Sequence, residues 1–204
     1  MPRELNSSRL EAFSDGVIAV IITIMVLDLR VPSTRELGNA AALHADLKLI
    51  LVYLLSFVQT GIYWVNHHYL LDDLENVTHS ILWSNLALLF CLSLIPFGTQ
   101  WIAVRGVEPV PVVVYVLCFL APGAAFTVLS NTICKCTGVP PVASLRKELF
   151  SLVMDLGAIA MAFVSPWGAL GMIAIVAFVW LLPPRRIVDQ TRRHAASTPT
   201  VDSR

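Results

Sequence analysis

Arg9-Leu10-Glu11-Ala12-Phe13-Ser14-Asp15-Gly16 opens the first apolar stretch of the chain, and the residues from Val17 to Leu27 that follow carry no charge. A carboxylate entering an apolar helix costs about 2.5–3.5 kcal/mol even on the mild insertion scale, unless it finds a partner or water. Asp15 is therefore a candidate functional residue by position alone. Ser14 and the deeper Thr23 are further polar groups on the same predicted helix.

The whole chain extends this pattern. Of 204 residues, 56% are hydrophobic and 14% charged, and mean hydropathy is +0.73. A soluble domain carries roughly 25% charge. The apolar residues fall into blocks of about the ~20 residues that cross a hydrocarbon core, so the composition reads as a polytopic, all-α membrane protein. Zero formal net charge gives no support for nucleic-acid binding. Acids at Glu4, Glu11 and Asp15, with no small-residue cleavage pattern after the apolar run, argue against a removable leader. Cys91 and Cys118 read as packing residues. Cys134-x-Cys136 reads as a reduced pair in a loop, short of the ligands a zinc site needs.

Six membrane helices are predicted: 10–29, 47–66, 80–103, 110–130, 149–164 and 167–182. Pro32, Pro109, Pro140-Pro141, Pro166 and Pro183-Pro184 mark their ends. Residues 1–184 thus form a six-span domain, and 185–204 a basic, disordered cytoplasmic tail near anionic headgroups. With the N-terminus inside, Arg3, Arg9, Lys135, Arg146, Lys147, Arg185, Arg186, Arg192, Arg193 and Arg204 are cytoplasmic, and Arg30, Arg35, Lys48 and Arg105 are outside. That balance favours a multi-pass cell-membrane protein with both termini cytoplasmic. The acidic loop with Asp72, Asp73 and Glu75 runs against it, though acids count little in this rule.

On a helical wheel Gly16, Val20, Thr23 and Leu27 fall on one stripe, with Ile24 beside it. Read from its residues alone, such a stripe is a helix-packing seam, with Gly16 and Ala19 allowing close approach. Trp64-Val65-Asn66-His67-His68, read alone, is an interfacial aromatic belt with wet histidines.

Together, however, these two stretches carry a resemblance. Arg9-x-x-x-Phe13-Ser14-Asp15-Gly16 resembles the first-helix signature of the transmembrane protein 175 family of potassium channels, and Trp64-x-x-His67, followed by His68, resembles its second-helix element. The resemblance implies a homotetramer whose first helices line a central pore. It makes Val20, Ile24 and Leu27 the hydrophobic layers of the constriction, with Thr23 among them. A valine at the first layer departs from the leucine or isoleucine of relatives and implies a wider ring. The resemblance also implies a polar network behind the pore, joining Arg9, Ser14 and Asp15 to Trp64 and to His67 or His68.

Other chemistry finds little footing. There is no Thr-Val-Gly-Tyr-Gly filter and no arginine ladder. No phosphate loop, nucleophile elbow or His-Glu-x-x-His motif supports an enzyme. Adjacent His67 and His68 cannot chelate together on a regular helix, so no metal is expected, and no cofactor beyond permeant K+. Asp155, inside the predicted fifth helix, calls for a buried donor on a neighbouring helix, or else serves an ion path or proton relay. The expected function is a potassium-permeable cation channel whose partners are its own copies, monovalent cations and the bilayer. The alternatives are a proton-coupled transporter using Asp15, Asp155 and the histidines, or a membrane scaffold that transports nothing.

Overall fold

The computed structural model describes residues 7–29, 39–72, 74, 76–138 and 144–181. The expected tail, 185–204, lies outside the described residues, as do Arg3, Arg30 and Arg35. Among those described, the chain is helical almost throughout: α1 (Ser7–Met25), a 3-10 turn (Val26–Asp28), α2 (Asn39–Leu71), α3 (His79–Ser93), α4 (Ile95–Arg105), α5 (Pro109–Thr137), α6 (Leu145–Ala162) and α7 (Pro166–Leu181).

The predicted third helix is split into α3 and α4. Pro96, in the first turn of α4, has no N–H to offer the carbonyl of Leu92. The chain tightens there, and Leu94 N–H donates to the Cys91 carbonyl at 3.2 Å. The two pieces still form one apolar unit, His79–Arg105, so six helical units result. That unit, Leu47–Leu71 within α2, and α5 are long and apolar enough to cross a membrane; α7 is a shorter apolar helix.

Other boundaries differ as well: α2 starts at Asn39 rather than 47 and α6 at Leu145 rather than 149, and two further ends have a visible cause. α2 continues past Asn66 to Leu71, because Asn66, His67, Leu70 and Leu71 are buried and the polar pair is part of the interior. α5 runs on to Thr137, so Cys134 and Cys136 sit on a helix rather than in a loop. It stops at Gly138, whose φ of 73° favours glycine and whose N–H caps the Cys134 carbonyl at 2.8 Å. Ser144 and Thr78 cap the starts of α6 and α3 by accepting from Lys147 N–H and Ile81 N–H.

α5 is the central post. It packs on α3, α4, α6 and α7, while α1 lies against α2, α3 and α4. Hydrocarbon gives apolar helices little reason to prefer one another over lipid, so close approach and interhelical hydrogen bonds must decide the packing. Both occur where α2, α4 and α5 meet. Ser56 Oγ lies 2.8 Å from Thr99 Oγ1 and 3.0 Å from Tyr115 Oη. All three side chains are fully buried. Next to Thr99, Gly98 brings α4 against α5: a Cβ there would stand 3.1 Å from Cys118 Sγ and 3.2 Å from the Tyr115 Cα.

Gly98→Val should therefore force α4 and α5 apart and lower stability by about 1–3 kcal/mol, as overpacking does. Gly171, whose added Cβ would meet nothing within 4 Å, is the control. Thermal unfolding of the two purified variants in the same detergent should separate them; equal midpoints would mean that the α4–α5 contact is not tight.

Candidate functional site

α1 has two opposed faces. Leu10, Ser14, Ile18, Ile21 and Met25 are buried, at spacings of four, four, three and four. Gly16, Val20, Thr23 and Leu27 are exposed, and each is two residues beyond a buried one. Two residues turn a helix by about 200°, so the uncovered stripe lies across the helix from the packed one. Val20 is 53% and Leu27 75% exposed, with Ile24 beside them. Leu27 falls in the 3-10 turn rather than on the α-helix expected through Leu29, so its direction follows a tighter spiral than the wheel assumes. Thr23 Oγ1 is 3.0 Å from both the Ala19 and Val20 carbonyls.

On the flank of α1, two acids one turn apart meet two residues one turn apart on α2. Trp64 Nε1 donates to Asp15 Oδ1 at 2.9 Å, and His68 Nδ1 lies 2.6 Å from Glu11 Oε1. Rising on α1 corresponds to falling on α2, so the four residues form a two-rung antiparallel ladder. The Trp64 and His68 rings stack at 6.5 Å. This ladder stands toward the surface: Asp15 is half-buried, and Trp64 and His68 are exposed.

A second, fully buried chain runs beside it. His67 Nε2 is 2.7 Å from Asn85 Oδ1, Asn85 Nδ2 donates to Ser14 Oγ at 2.9 Å, and Ser14 Oγ donates to the Leu10 carbonyl at 2.8 Å. Every donor points the same way, which makes His67 the Nε2–H tautomer. Its Nδ1 has no partner among the described residues. The chain ties α2 to α3 and α3 to α1 with no exposed member.

The predicted site residues therefore divide. Ser14 and His67 meet, but only through Asn85. Asp15 meets Trp64 directly, and His68 meets Glu11. Arg9 is exposed and forms no ion pair among the described residues; Phe13 and Gly16 are also exposed. Asn85 and Glu11 escaped the sequence reading. Asn85 had a usable signal, since a lone amide inside the apolar run Ile81–Leu92 needs a partner. Asp155, on α6, is not part of this group; it lines a cavity shared with Tyr63 and Asn66 of α2. It is buried but accepts no hydrogen bond among the described residues, so the donor expected from a neighbouring helix is not found.

Comparison with known proteins agrees on one family. The family model described as endosomal/lysosomal potassium channel TMEM175 matches residues 9–96, which hold both the ladder and the buried chain. A potassium channel of Chryseobacterium sp. (strain P1-3) is 43% identical over 188 residues, covering 90% of this chain and 96% of its own. A potassium channel of Chamaesiphon minutus is 28% identical over 195 residues, covering 89% and 96%. The crystal structure of a lysosomal potassium-selective channel TMEM175 homolog from Chamaesiphon minutus superposes with a TM-score of 0.71 at 26% identity, over 86% of this chain and 96% of that one. Kinship of this extent, on an all-helical framework of apolar spans, places the protein in the TMEM175 family of multi-pass membrane channels.

Proposed function

We propose that the chain is one subunit of a potassium-permeable cation channel, and that α1 from four copies encloses an axial pore. The uncovered stripe of α1 carries this reading: Gly16, Val20, Thr23, Ile24 and Leu27 face away from the subunit's own packing. A single α1 cannot surround an ion path, so the stripe needs further copies to become a wall. The relatives named as potassium channels supply the ion. In this arrangement Val20, Ile24 and Leu27 form apolar rings that exclude a continuous water column when narrow. The Val20 ring is the widest for its lack of a longer side chain. Both termini lie in the cytoplasm, by the balance of Lys and Arg.

Thr23 has a defined part. Its hydroxyl proton is engaged by the Ala19 and Val20 carbonyls, which leaves oxygen lone pairs as the outward chemistry. Four such oxygens meet a partly dehydrated cation as acceptors. The ladder and the buried chain hold α1 in the orientation that presents this face, and stand behind the pore rather than in it.

Leu27→Asn or Ile24→Asn should wet the constriction and raise potassium leak from liposomes severalfold. Ile21→Asn, on the buried face, should instead lower the yield of folded protein. Leak that responds to Ile21 and ignores both stripe positions would refute the pore assignment. Thr23→Val keeps the shape and removes the oxygen. Bi-ionic reversal potentials should then lose part of the potassium-over-sodium preference with little loss of protein; unchanged potentials would leave Thr23 as a hydroxyl bonded only to its own helix.

Positioning and conduction separate at the network. Asn85→Ala strands both His67 and Ser14 and should cost about 1–3 kcal/mol of stability, with loss of assembled protein on size exclusion. Asp15→Asn, on the exposed ladder, should be milder, since it keeps an acceptor for Trp64. A variant of Asp15 that assembles normally yet loses a pH-dependent flux would favour the proton-coupled alternative.

A further inference from the structure

We propose that the chamber between α2, α5, α6 and α7, open on the side of the exposed Leu145, Leu149 and Leu152, is a binding site for a lipophilic amine, an organic cation with a compact apolar or aromatic body. The chamber has a volume of about 390 Å³, and its walls are largely apolar. Three polar side chains on them are more than nine-tenths buried: Asp155 at 7% exposed, Gln59 at 6% and Asn66 at 6%. Asp155 and Gln59 make no side-chain hydrogen bond among the described residues. Glu148, two turns before Asp155 on α6, is the other charged group of the wall, so both are acids.

The hydrogen-bond accounting selects a cation. Tyr63 spends its hydroxyl proton on the Phe119 carbonyl at 3.0 Å, and Thr127 spends its own on the Gly123 carbonyl at 3.1 Å. Ser151 donates to the Lys147 carbonyl at 3.0 Å, and Asn66 gives an N–H to the Ile62 carbonyl at 2.8 Å. Ser151 also accepts from Trp180 Nε1 at 2.7 Å, so what these groups have left is mainly the lone pairs of Tyr63, Thr127 and Asn66. Gln59 keeps both an acceptor and two N–H donors, and the charge preference is set by an ionised Asp155, which only accepts. An ammonium is the complement, with three donors and no acceptor. A carboxylate buried in hydrocarbon without a donor is costly, and an ammonium beside it offsets that cost. The volume far exceeds a bare alkali ion. Phe119, Phe126 and Trp180 line the remainder as apolar and cation-accepting surface. The site lies within one subunit, on helices other than α1, so it is separate from the proposed pore and does not depend on it.

The test uses the full-length protein in phosphatidylcholine nanodiscs, in potassium buffer, with radiolabelled 4-phenylbutylamine as probe and 4-phenylbutanol as its neutral counterpart. The amine should bind saturably, one per subunit, at least about tenfold more tightly than the alcohol. Asp155→Asn should remove that preference and leave alcohol binding as it was. Gly123→Leu, whose added Cβ would stand 3.4 Å from the Tyr63 hydroxyl in the chamber wall, takes up that space without replacing a polar group and should abolish both, and it decides the matter if the Asp155 variant does not assemble. Equal affinity for amine and alcohol in the wild type would mean a lipid-filled apolar space and would overturn the proposal. So would full amine affinity in Asp155→Asn or in Gly123→Leu.

Discussion

The hydrogen-bonded chain from His67 through Asn85 to Ser14 is what the placement of α1 rests on. Within hydrocarbon, one apolar helix face is about as content against lipid as against another helix, so burial alone does not orient a span. A buried amide differs, because an orphaned donor or acceptor there has no water to turn to. Asn85 has two ends, and the fold satisfies both, one on α2 and one on α1. Since Ser14 must face Asn85, the opposite side of α1 must face away. The outward direction of Val20, Thr23 and Ile24 thus follows from a contact none of them makes.

The Glu11–His68 and Asp15–Trp64 ladder adds register to that orientation. Two rungs one turn apart on each helix match only in one antiparallel alignment, and a slip of a single residue would break both. The ladder is partly open, so screening makes each rung weaker than a buried pair. Its contribution is alignment, while the chain through Asn85 carries the energetic penalty for disorder. The Ser56–Thr99–Tyr115 cluster does for α2, α4 and α5 what Asn85 does for α1, with Gly98 allowing the backbones close enough for those bonds to form.

α6 and α7 pack chiefly on each other and lean on α5. Their meeting with α2 is looser, and the chamber is the result. Asp155 therefore has a character different from Asp15. One acid found its indole and became part of the scaffold; the other faces a cavity and accepts from no donor among the described residues. Position within an apolar span identifies both as exceptional, but only packing separates a structural acid from an available one.

Much could be read directly from the residues. The apolar blocks declared an all-helical membrane chain, because hydrocarbon tolerates few other spanning structures. The Phe13-Ser14-Asp15-Gly16 and Trp64-x-x-His67 stretches pointed to the family, and the period of α1 isolated its stripe, since a regular helix maps spacing onto direction. What a linear pattern does not carry is which of two faces finds a neighbour. Spacing alone left the stripe as seam or pore wall, and put His67 and His68 on equal footing. Contacts between residues 18 and 71 positions apart decided that His67 is interior and reaches Ser14 through Asn85, while His68 stays outside on Glu11. The split at Pro96, the extension of α2 and the lack of a donor to Asp155 among the described residues were likewise decided in three dimensions. Each depends on where distant donors and acceptors come to rest, and local propensity holds no record of that.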